Sequence, residues 1–113
     1  MNVLNTTDES FAKRNFPNGY NTIDVECSSL NNVLDKTKYK NKVIDFLNID
    51  VENTEKDVLD SLSFETYRPK LICVEIHYKS EENLKNNVTW KFLTNKGYKT
   101  VWQKKYSFIF SPA

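Results

Sequence analysis

The chain has 113 residues, of which 39% are hydrophobic and 27% charged. That is the length of one domain, with a composition that excludes intrinsic disorder. Sixteen basic residues against fifteen acidic leave a net charge of +1, which excludes a polybasic nucleic-acid or membrane-surface binder on composition. No run approaches the about 18 apolar residues of a membrane span, and Met1 to Glu9 lacks the basic-then-apolar order of a secretory leader. The expectation is a soluble cytoplasmic protein whose partners include neither nucleic acid nor membrane.

The first twenty residues are polar and unpatterned, and Phe16-Pro17-Asn18-Gly19 is a turn cluster. Residues 1–20 therefore read as a flexible arm with at most a short helical turn near Phe11. Ile23, Val25 and Cys27 alternate with Asp24 and Glu26, the period of a half-exposed strand. Ser28 and Ser29 can cap a helix whose inward stripe is Leu30, Val33 and Leu34.

Val43 to Val51 is apolar with little alternation, as in a strand covered on both faces. A helix follows from about Thr54, with Val58, Leu59 and Leu62 inward, and Tyr67-Arg68-Pro69 breaks the chain. Leu71 to Ile76 is a second buried strand, rich in β-branched residues. Strand, helix and strand in this order form a right-handed βαβ unit with parallel strands.

Leu84, Val88, Phe92 and Leu93 mark one further helix ending at Gly97, a glycine suited to a C-terminal cap. Tyr98 to Lys104 and Tyr106 to Ser111 read as an antiparallel hairpin. Val101, Trp102, Phe108 and Phe110 are its packing residues, and Trp90, Trp102 and Tyr106 fill the core beneath it. Lys99, Lys104 and Lys105 protect the edge. Cys27 and Cys73 lie in separate apolar runs without a CxxC pair, and read as buried small hydrophobes. The fold class is α/β, with a mostly parallel sheet and an antiparallel C-terminal hairpin.

Open parallel sheets bind ligands outside the carboxyl ends of their strands. Two strands here end in ionisable residues: Asn48, Asp50 and Glu52 share one parity on the first, and Glu75 and His77 on the second. If the strands are neighbours, Asp50, Glu52, Glu75 and His77 share one rim. Each has a plainer reading beside the functional one. Asp50 and Glu52 can be a solvated strand end, Glu55 an ordinary first-turn acid, Glu75 a lysine partner and His77 a surface residue. A metal ion on this rim is not expected.

Ile44-Asp45-Phe46-Leu47-Asn48-Ile49-Asp50-Val51-Glu52-Asn53-Thr54-Glu55, with Val58-Leu59 after it, resembles the central motif of the FkbM family of methyltransferases. Arg68-Pro69-Lys70-Leu71-Ile72-Cys73-Val74-Glu75-Ile76 is similar to the family's next strand, and Gly97-Tyr98 to its C-terminal Gly-Tyr. Residues 22–34 resemble the segment just upstream of the central motif, so the likeness covers about residues 20–111.

The resemblance implies a Rossmann-like fold that binds S-adenosylmethionine and methylates a hydroxyl on a small molecule such as a sugar or natural product. It implies roles for Asp50 and Glu52 beside the reacting centre, for Glu55 at the helix start and for Glu75 at the next strand end. Within that frame the catalytic candidates are Asp50, Glu52 and His77; the substrate-binding candidates are Glu75, Glu55 and Asn53; cofactor-binding residues stay unassigned.

Asn53 stands where the family has glycine, a position Asn tolerates because it also adopts left-handed geometry. The family's first strand and glycine-rich turn have no counterpart in this sequence. The expectation is therefore the C-terminal half of a methyltransferase domain, residues 21–113, with a partial Rossmann-like sheet. The open strand edge this leaves would be covered by residues 22–27, by a homodimer partner or by a separately encoded N-terminal half. The alternative is a catalytically inert fragment acting as a self-association or interaction module.

Overall fold

The computed structural model describes residues 6–113. Four strands form one mixed sheet in the order β1-β2-β4-β3. Strand β1 (Phe46–Ile49) runs parallel to β2 (Leu71–Glu75), whereas β4 (Ser107–Pro112) is antiparallel to both β2 and β3 (Tyr98–Lys104). The βαβ unit and the terminal hairpin stand as expected. The expectation of a mostly parallel sheet does not, because the hairpin inserts β4 beside β2 and makes two of the three pairings antiparallel.

The crossover from β1 to β2 carries helices α3 (Glu55–Asp60) and α4 (Phe64–Tyr67). Leu59, Leu62, Phe64 and Tyr67 from this crossover are buried. They meet Ile49, Ile72, Val74, Phe108 and Phe110 from one face of the sheet in a single core. Full burial of such a side chain contributes about 1.5–3 kcal/mol. Trp90 closes the core over β4, edge-on to Phe108 and Phe110 at centroid distances of 5.9 and 5.5 Å.

The other face of the sheet carries Phe46, Leu71, Cys73 and Trp102, all at least partly exposed. This corrects the reading of residues 43–51 as a strand covered on both faces. The regular strand is four residues long, lies at the sheet edge, and leaves Phe46 52% exposed.

Helix α2 (Leu30–Asp35) starts where Ser29 accepts from Asn32 N–H, as its capping sequence suggests. Its first turn is stitched to the α3–α4 connection: Leu30 N–H donates to Ser61 Oγ, Asn31 N–H to the Ser61 carbonyl, and Ser63 N–H to Asn31 Oδ1. The strand expected at Ile23–Cys27 is absent. Residues 16–29 form no helix or strand, and Ile23 and Val25 are 83% and 70% exposed. Alternation alone does not make a strand where no neighbouring edge accepts its hydrogen bonds. Cys27 is accordingly exposed and Cys73 half-buried, so the buried reading of Cys27 is corrected.

Three further differences have local causes. Upstream, Asp8 caps α1 (Glu9–Asn15), a full helix where the arm was read as nearly structureless; residues 1–5 of that arm lie outside the described residues. The single helix expected through residues 84–95 is two, α5 (Glu81–Lys85) and α6 (Val88–Asn95). Asn87 divides them, because its side chain accepts from Thr89 and Trp90 N–H and starts a new helix. In β3 the register shifts between Thr100 and Trp102, and this bulge turns Val101 and Trp102 outward, 50% and 48% exposed. Trp102 and Tyr106 therefore do not fill the core, whereas Phe108 and Phe110 do.

Candidate functional site

The carboxyl ends of β1 and β2 lie side by side. The register pairs Ile49 with Val74, so Asp50 and Glu75, the next residue on each chain, leave the sheet at the same level. Both side chains are exposed, whereas Ile49 and Val74, which precede them, are buried. The rim expected from the sequence is thus formed by neighbouring parallel strands.

Beyond Asp50 the chain reverses tightly. Glu52 and Asn53 both adopt left-handed backbone geometry, with φ of 53° and 71°. Asn accepts this more readily than most residues, whereas Glu does so at a cost of about 1–2 kcal/mol. The turn is held by Glu55, which is 7% exposed and accepts from Asn53 N–H through Oε1. Thr54 Oγ1 closes it by donating to the Val51 carbonyl. Glu55 and Asn53 are thus bound to each other in shaping the turn.

Asp50 and Glu52 are exposed, and neither has an ion pair or side-chain hydrogen bond among the described residues. On β2 the geometry is different. His77 Nε2 lies 3.4 Å from Glu75 Oε1, with the two side chains 61% and 46% exposed. The residues share parity along an extended segment, which brings their side chains to one side. The His77 ring also faces Tyr106, with centroids 4.5 Å apart and planes at 41°. Among the described residues no group of three or more His, Cys, Asp or Glu side chains is close enough to hold a metal ion.

The structure therefore brings Glu75 and His77 together and sets Asp50 beside them, while Glu55 and Asn53 build the adjoining turn. Tyr106 is the residue that sequence reasoning placed in the core instead of at the rim. Its position next to Lys104-Lys105, in the turn of the hairpin, was the available signal for an exposed aromatic.

Two open grooves lie elsewhere. One, of about 340 Å³, is lined by Leu34, Tyr39, Lys42 and residues 43–46 at the amino end of β1; the other lies against Glu26, Ser28, Val33 and Lys36. Neither touches the acidic rim.

The sequence pattern of the methyltransferase FkbM domain matches residues 1–100. The chain belongs to the FkbM methyltransferase family. No curated protein and no solved structure matches it.

For this FkbM-family chain, the rim can be compared with what a methyl donor of the S-adenosylmethionine type would require. Unpartnered carboxylates suit its ribose hydroxyls and its cationic sulfonium and ammonium groups, and Asp50 and Glu52 supply them. A glycine cradle for the donor's own carboxylate is not found among the described residues. Gly19 has nothing within 4 Å of its added-Cβ position, and Gly97 lies against Arg68 at the start of the hairpin.

Proposed function

We propose that this FkbM-family chain serves methyl transfer from S-adenosylmethionine to a hydroxyl oxygen of a small acceptor, a sugar or natural product, in the cytoplasm. The observation that carries the reading is the carboxylate–imidazole pair of Glu75 and His77 at the carboxyl end of β2, in a methyltransferase family member. The sheet then represents part of a Rossmann-like methyltransferase fold, with residues 21–113 as the half domain and residues 1–20 as its arm.

When bound, the cofactor supplies an electrophilic methyl group on a positively charged sulfur. The chain's own work is to position the acceptor and remove its proton. Asp50 and Glu52 accept hydrogen bonds from acceptor or ribose hydroxyls. Glu75 faces the Nε2 proton of His77, which leaves Nδ1 as the basic nitrogen. Nδ1 of His77 would take the proton of the acceptor hydroxyl, leaving its oxygen as the nucleophile for the methyl group the cofactor would supply. General-base assistance of this kind is worth about 10²–10⁴-fold.

Calorimetric titration of S-adenosylmethionine into the purified chain tests the reading. Saturable binding is expected, weakened at least about tenfold in Asp50→Asn/Glu52→Gln and unchanged in His77→Gln. Transfer of labelled methyl to a panel of sugars should fall about 10²-fold or more in His77→Gln. The absence of saturable binding to the folded wild-type chain would overturn the proposal.

A second reading, an inert module that associates with a second copy of itself, is favoured by one observation. Among the described residues strand β1 pairs only with β2, and Phe46 on it is half exposed. An open edge of this kind is a template for strand addition. Light scattering on the chain and on Phe46→Lys separates the two: a dimer that Phe46→Lys dissociates supports the module, and a monomer across the concentration range excludes it.

A further inference from the structure

Tyr106 is set in place more firmly than an exposed turn residue requires. Its backbone carbonyl accepts from Ile76 N–H at 2.8 Å, which ties the hairpin turn to the residue just before His77. Its ring meets Tyr78 edge-on, with centroids 5.9 Å apart and planes at 90°. Tyr78 is fixed in turn. Its hydroxyl accepts from Gln103 Nε2 at 2.6 Å, and the same nitrogen donates to the Lys105 carbonyl at 3.1 Å. Lys105 holds the two-residue turn with a left-handed φ of 54°. The result is an aromatic wall, Tyr78 then Tyr106, that ends against the face of His77.

An imidazole more than half exposed would ordinarily sample several rotamers, since nothing on the solvent side confines it. Here two contacts of different kinds restrict it. The Tyr106 ring packs against the imidazole at a tilt of 41°, and the Glu75 carboxylate lies 3.4 Å from Nε2. Among the described residues Nδ1 has no hydrogen bond.

We infer that Tyr106 is a positioning residue for His77, packing against its imidazole at a tilt while Glu75 faces Nε2, so that Nδ1 is left unpartnered. This deepens the proposed general-base role of His77 and rests on it for its catalytic meaning. The arrangement of the three side chains is testable without turnover. The tyrosine hydroxyl takes no part, so the ring alone is required.

His77 is the single histidine of the chain, so its ring resonances stand alone in an NMR spectrum. In the wild-type protein, nuclear Overhauser contacts are expected between the His77 and Tyr106 ring protons. Nitrogen shifts of the neutral imidazole should report the proton on Nε2. Tyr106→Leu should move the His77 ring protons toward their free-histidine positions and abolish the ring-to-ring contacts. Tyr106→Phe should retain both wild-type signatures.

Absence of the ring-to-ring contacts in wild type, or a Phe variant that behaves as the Leu variant, would overturn the inference whatever the fold stability of either variant. If these signatures hold while His77→Gln transfers methyl as well as wild type, the general-base reading fails and the positioning geometry stands.

Discussion

The Tyr67 hydroxyl donates to the Asp35 carboxylate across 32 residues of sequence, and accepts from Asn41 N–H on its other side. Tyr67 has no exposed surface, and Asp35 closes α2. Asn31 Nδ2 donates to the second oxygen of the same carboxylate. Together with the Ser61 and Ser63 contacts, this fastens α2 to the crossover connection and extends the βαβ unit upstream to Ser29.

Tyr67→Phe should therefore loosen α2 without disturbing the core. The thermal midpoint is expected to fall by about 5 °C or more, the scale of losing a hydrogen bond to a charged group in a domain this size. Amide exchange in residues 30–35 should accelerate more than in β2. A thermal scan and an exchange experiment check both, and uniform acceleration would show that the contact is not specific to α2.

Stability should fall as pH rises above about 10. Burial raises the Tyr67 hydroxyl above its ordinary 10.0, with the Asp35 hydrogen bond adding to the effect. Burial likewise raises Tyr98, opposed by the nearby Arg68 charge. In the unfolded chain both hydroxyls ionise near their ordinary value, while the native state keeps its protons. Above about pH 10 the native state thus binds more protons than the unfolded one, and stability declines with pH; below it the contribution is complete. Urea midpoints across this range should drop less steeply in the Tyr67→Phe/Tyr98→Phe double variant.

Gly97 sits at φ 84° between α6 and β3, where its N–H donates to the Thr94 carbonyl and its carbonyl accepts from Ala113 N–H. A Cβ there would lie 3.6 Å from Arg68 Nη2, an ordinary contact. The cost of Gly97→Ala is then one of backbone geometry, about 1 kcal/mol by urea denaturation. A much larger loss would mean that the Arg68 side chain cannot give way.

Asn87→Ala removes the acceptor for two N–H groups at the start of α6. The expected loss is about 1 kcal/mol. Asn87→Asp should recover most of it, since Asp caps equally well and its charge suits the helix start. Chemical denaturation of the three proteins checks the order.

Much of this architecture is local and was readable as such. Ser29 with Leu30 and Leu34 announces α2, and the unbroken Leu71–Ile76 run announces β2. The features that escaped depend on partners remote in sequence. Ile23, Val25 and Cys27 have the alternation of a strand, but no sheet edge meets them. The bulge before Trp102 exists only in relation to β4, and it reverses which side of the hairpin that residue faces. At the rim, the parity of Asp50, Glu75 and His77 was legible once β1 and β2 were read as neighbours. Tyr106 was not, because its packing against His77 depends on how the hairpin folds back over Ile76.

A sheet packed on one side only also equips the molecule with two built-in optical reporters. Trp90 lies among Phe108 and Phe110 on the packed side, and Trp102 stands half exposed on the other. The two indoles differ in solvent contact, so an aqueous collisional quencher reaches Trp102 first. A ligand or second chain that settles on the bare side shields it, while loss of core packing registers at Trp90. Fluorescence from this one chain can thereby tell an event on the uncovered side from one in the interior.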